Sequence, residues 1–81
     1  MRIVKRHQPY QDGWNEVEQG EMWIHARNGQ WAGLQINNPR PRQFHVRLYP
    51  QNGRKRDRDL GTRPSLVKAK TLAEGHLNHV L

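Results

Sequence analysis

The sequence has no cysteine, so a disulfide framework and a thiolate metal site are both excluded. No apolar run approaches the ~20 residues of a membrane-spanning helix, and the N-terminal stretch lacks a signal-peptide apolar region. A cytosolic protein is the expectation. Length is also scarce: 81 residues make one small domain with a thin core. A chain of this size buries only about 60–65% of the surface its unfolded form exposes. That leaves little room for a deep pocket with a preorganised catalytic shell, and an enzyme is not expected. No Gly-rich phosphate loop is present, because Gly53-Arg54-Lys55 closes a hairpin and does not open a helix. The five histidines give no convincing metal or acid–base set, and neither a cofactor nor a metal is expected. His76 and His79 share a helix face only as a pair, with Glu74 as the sole acidic neighbour at helical spacing.

What the chain has is positive charge. Fourteen Lys and Arg stand against seven Asp and Glu, for a formal net charge of +7, and ten of the fourteen are Arg. Arginine grips phosphate bidentately and stacks on rings. The charge is unevenly spread. Residues 40–63 hold Arg40, Arg42, Arg47, Arg54, Lys55, Arg56, Arg58 and Arg63 against only Asp57 and Asp59. Residues 8–39 are net acidic. A patch of this kind is an electrostatic footprint for a polyanion, most commonly nucleic acid.

Apolar periodicity predicts an α+β fold, with three or four antiparallel strands packed on one C-terminal helix. Residues 1–21 read as an irregular lead-in, with Ile3–Lys5 as a candidate edge strand. Residues 22–36 alternate as a first hairpin about Asn28-Gly29. A three-residue loop, Arg27-Asn28-Gly29, pairs Met22 with Leu34 and Ile24 with Ala32, keeping one face apolar. Residues 37–43 read as a loop because Pro39 and Pro41 lack ladder donors. Residues 44–60 form a second hairpin about Gln51-Asn52-Gly53, pairing Arg47 with Asp57 and His45 with Asp59. Arg56 and Arg58 then fall opposite Leu48 and Val46, on the apolar side. Residues 65–81 read as the helix, N-capped by Ser65, with Leu66, Ala69, Ala73, Leu77 and Val80 as its apolar stripe. The expected core is Met22, Ile24, Leu34, Ile36, Phe44, Val46, Leu48, Leu60 and that stripe.

In this arrangement the sheet face away from the helix has no partner within the strands. It presents Trp23, His25, Arg27, Trp31, Gln35, His45, Arg47, Tyr49 and Lys55. Aromatic rings there suit stacking on bases, and arginines suit base edges or phosphates. An N-terminal segment folded over the sheet would instead bury both Trp. The candidate binding residues are Arg27, Trp31, Arg40, Arg42, Arg47, Tyr49, Arg54, Lys55 and Arg56. Trp23, His25, His45 and Arg58 are secondary candidates. Trp14 reads as packing.

Residues 47–77, RLYPQNGRKRDRDLGTRPSLVKAKTLAEGHL, carry a resemblance. Asn52-Gly53-Arg54, the step Leu60-Gly61-Thr62, and the Ala-containing helix from Ser65 to Leu77 follow one another as in two families. The segment is similar to the arm-type DNA-binding domain of phage tyrosine recombinases, and to the plant ethylene-response-factor DNA-binding domain. The resemblance implies a three-stranded sheet on a C-terminal helix, with the sheet in the major groove. It puts Arg27, Trp31, Arg47, Tyr49 and Lys55 at the DNA. The expected function is a duplex-DNA-binding accessory or regulatory factor of a phage or mobile element, acting in the host cytoplasm. Two other readings stand beside it. One is a phage-encoded inhibitor of a host protein machine, such as a CRISPR effector or RNA polymerase. The other is a single-strand RNA-binding module.

Overall fold

The computed structural model describes residues 10–50 and 56–76. Five strands and one helix follow in order: β1 Gly13–Glu18, β2 Met22–Arg27, β3 Gln30–Arg40, β4 Gln43–Leu48, β5 Arg58–Arg63 and α1 Leu66–Glu74. The strands form one antiparallel sheet in sequence order, β1-β2-β3-β4-β5. The α+β expectation is met, with one strand more than the upper count. The extra strand is β1, inside the stretch read as an irregular lead-in. Its residues are mostly polar, so no apolar alternation marks it. Glu18 at its end is 7% exposed, with both carboxylate oxygens buried and without a hydrogen-bond partner. The Ile3–Lys5 candidate lies outside the described residues.

The first hairpin turns on two residues, not three. Asn28 and Gly29 have φ of 55° and 79°, the double positive φ of a type I′ turn. Arg27 pairs Gln30 and Ala26 pairs Trp31, and then β3 bulges, so that His25 faces Leu34 and Trp23 faces Ile36. Gly33 sits in the bulge with φ 93°, a conformation that a side chain resists. The bulge moves Trp23 and His25 to the helix side, beside Leu34 and Ile36. Met22, Ile24 and Ala26 go to the other face. This corrects the pairing of Met22 with Leu34, and it corrects the placement of Met22 and Ile24 in the helix-side core.

β3 also runs through Pro39 to Arg40, where a loop was expected. The prolines are tolerated because the β2 pairing ends at Asn37, and the β3–β4 register is irregular between Asn37 and Arg40. In the second hairpin Arg47 pairs Asp59, Leu48 pairs Arg58, His45 pairs Thr62 and Phe44 pairs Arg63. The expected pairings of Arg47 with Asp57, His45 with Asp59 and Phe44 with Leu60 are overturned. The connection between Leu48 and Arg58 is longer than three residues, and Leu60 is an extra residue between two paired positions. The turn residues Gln51, Asn52, Gly53, Arg54 and Lys55 lie outside the described residues.

Ser65 caps α1 as expected, its hydroxyl accepting from the Lys68 N–H at 3.2 Å. The described helix ends at Glu74, with Gly75 as its C-cap, short of the expected Leu81. Gly75 is the weak helix former in that stretch. Leu77, Val80 and Leu81 lie outside the described residues. α1 packs over β3, β4 and β5. Its Ala69 and Ala73, one turn apart and fully buried, let it sit close on Leu34, Ile36, Val46 and Leu48. Trp23 completes this core, with Trp14, Phe44, Leu60, Leu66 and Leu72 at its margin.

Candidate nucleic-acid interface

The face away from the helix is not uniform. Over β2 it is closed, with Ile24 and Ala26 at 2% and 1% exposure. Over β3–β5 it is partly open. Gln35, Arg47 and Asp59 align across three strands, and beside them run Asn37 and His45. All but the exposed Asp59 are half-buried.

At the β2–β3 turn end of this open half, three of the sequence-predicted residues meet. Trp31 and Tyr49 have ring centroids 5.3 Å apart and tilted by 57°. The Arg47 guanidinium lies 5.7 Å from the centre of the Tyr49 ring, in cation–π range. The Trp31 indole N–H donates to the Leu34 carbonyl at 3.2 Å, and the Tyr49 amide donates to the Gly33 carbonyl at 2.6 Å. The bulged stretch at Gly33 and Leu34 therefore anchors the Trp31 ring and the Tyr49 backbone. Trp31 remains 36% exposed, one of two large apolar side chains exposed among the described residues.

Along the same face, polar side chains pair laterally. Gln35 donates through Nε2 to Asn37 Oδ1 at 2.9 Å. His45 Nε2 lies 2.7 Å from Asp59 Oδ1, which also accepts the Gly61 amide at 2.9 Å. The Gly61 hydrogen bond, and after it His45, hold the Asp59 carboxyl below its ordinary pKa. His45 and Asp59 meet although their expected cross-strand pairing does not form. The contact arises diagonally, since His45 pairs Thr62.

The other candidates scatter. Arg27 is exposed beside the β2–β3 turn, but it alternates onto the helix side with Trp23 and His25, away from Trp31, which corrects its expected place on the working face. Arg40 and Arg42 are exposed at the β3–β4 turn, Arg42 with φ 62°. Nine residue steps along β3 separate Arg40 from Trp31, at most about 30 Å at ~3.3 Å per step. Arg56 and Arg58 are exposed on and before edge strand β5, and Arg58 does not pack into the core. Arg54 and Lys55 lie outside the described residues.

Three secondary candidates leave the interface, Arg58 among them because it pairs Leu48 on the helix side. Trp23 is core, its ring 5.8 Å from Phe44. His25 is half-buried on the helix side, in edge contact with Trp14 at 5.1 Å, and its Nδ1 is buried without a partner. Trp14 in turn donates through Nε1 to Glu74 Oε2 at 2.8 Å, tying β1 to the helix end. Burial pushes the His25 pKa below its ordinary value; Glu74 opposes this, Arg27 reinforces it and Asp12 opposes it. Among the described residues no three His, Asp or Glu stand together as a metal cluster. No helix among them is long and apolar enough to cross a membrane. Sequence reasoning missed the Glu74–Trp14–His25 contact, because it depends on β1 being a strand.

Compared with protein-family models, curated proteins and solved structures, the chain matches none.

Proposed function

We propose that this protein binds nucleic acid through the open half of the sheet, over β3–β5. The observation that carries the reading is the Trp31–Tyr49–Arg47 cluster on the face that α1 does not cover. Rings held at a sheet surface beside a guanidinium suit bases and phosphates together. The excess of arginine over residues 40–63 supplies the attraction that brings a polyanion there. Arg40 and Arg42, exposed at the far end of β3, suit backbone contacts that position the partner. The resemblance to arm-type recombinase domains points the same way, through Trp31, Arg47 and Tyr49. An accessory or regulatory factor of a phage or mobile element is the role such a small basic module fits. An inhibitor seated on an acidic host protein would use the same surface, with Trp31 as its hot spot.

Salt dependence tests the reading. The logarithm of affinity should fall linearly with the logarithm of salt, by about 0.9 per neutralised duplex phosphate or about 0.7 for a single strand. Replacing Arg54 and Arg56 together by Ala should lower that slope by roughly 1 to 2. An affinity independent of salt would contradict phosphate binding. Saturable binding to a host protein after nuclease treatment would favour the inhibitor.

A further inference from the structure

We infer that the Trp31–Tyr49–Arg47 surface takes unpaired bases, so that its partner is single-stranded nucleic acid; the inference rests on the nucleic-acid reading above. Three features of the face carry it. The first is the state of Trp31. Its one polar group, the indole N–H, is spent on the Leu34 carbonyl. What remains exposed is ring surface, which reads no base edge but stacks on any base. The 57° tilt against Tyr49 keeps the two rings from sealing each other in a parallel stack.

The second feature is where the polar side chains point their hydrogen bonds. Reading a major groove takes long side chains that reach base edges. Here the Gln35 amide is tied to Asn37, His45 is tied to Asp59, and the Arg47 guanidinium lies against the Tyr49 ring. Groove readout would have to break these contacts. Stacking leaves them in place.

The third is Asp59. It is exposed on edge strand β5, aligned with Arg47, and it accepts the Gly61 amide. β3–β5 span about 10 Å at ~4.8 Å per strand, close to the ~12 Å width of a major groove. A duplex seated on these strands brings a phosphate line against this carboxylate, and like charges repel. A flexible single strand can pass its phosphates by Arg47 and leave Asp59 uncovered.

The test is fluorescence anisotropy with labelled thymidine and uridine oligonucleotides of about 12 nucleotides, beside a blunt duplex of equal length at the same salt. One of the single strands should bind at least about tenfold tighter than the duplex. Trp31→Ala should weaken single-strand binding by about tenfold or more, and Trp31→Phe should restore most of it. Tyr49→Leu, which keeps apolar bulk without the ring, should weaken it in the same direction. Thermal melts of each variant separate loss of binding from loss of fold. Equal or tighter binding of the duplex, unmoved by Trp31→Ala, would overturn the inference and leave the nucleic-acid reading standing. Binding to neither form at low salt would overturn both.

Discussion

Leu34 and Val46 are fully buried under α1, and their neighbours cannot collapse into a space on a rigid sheet. Leu34→Ala and Val46→Ala should each cost about 2–5 kcal/mol, read as a lower urea midpoint or melting temperature. Both belong to the expected core, because their alternation is independent of how β2 docks on β3. Trp23 was not legible in the same way. Its side of the sheet is set by the bulge at Gly33, and no pattern of apolar residues announces a bulge. His25 gives a pH prediction. Its folded-state pKa lies below the ordinary 6.5, so the folded protein favours the neutral ring. The stability it contributes is present above about pH 6.5 and is lost as pH falls and the unfolded chain takes the proton. The melting temperature should therefore drop between about pH 7.5 and pH 5, and should drop less in His25→Phe. Equal drops in the two proteins would show that His25 is not the group responsible.

Among the elements, β2, β4 and α1 follow from period and capping. The alternation of Phe44, Val46 and Leu48 marks a half-buried strand, and Ser65 after Pro64 marks a helix start. β1 does not follow, since an edge strand needs little apolar surface when its neighbour supplies the ladder. The β5 register was hidden as well: cross-strand charge pairing favoured Arg47 with Asp57, whereas an extra residue at Leu60 sets Arg47 against Asp59. β1 has one described side-chain hydrogen bond to the helix, from Trp14 to Glu74. Trp14→Phe keeps an aromatic ring but removes the donor and part of the indole's packing, and should cost at least about 1 kcal/mol. Amide hydrogen exchange should quicken in β1 while β3 and β4 stay protected. Uniform quickening across the sheet would mean that the contact supports the whole fold.

For the molecule as a whole, the basic excess was legible from composition, and the cluster of Trp31, Arg47 and Tyr49 came from alternation. The expected working face of nine side chains shrinks to the half over β3–β5, because the Gly33 bulge leaves Trp23, His25 and Arg27 on the helix side. The central claim is that this open half is the binding surface. It is tested most directly by a two-dimensional NMR titration of the labelled protein with an oligonucleotide, following every amide and the indole N–H signals. The largest shifts should fall on the Trp31 indole and on the amides of Trp31, Gln35, Arg47 and Tyr49, with Leu34 and Val46 following weakly. Shifts confined to the β3–β4 turn and α1, with the Trp31 indole unmoved, would contradict the claim.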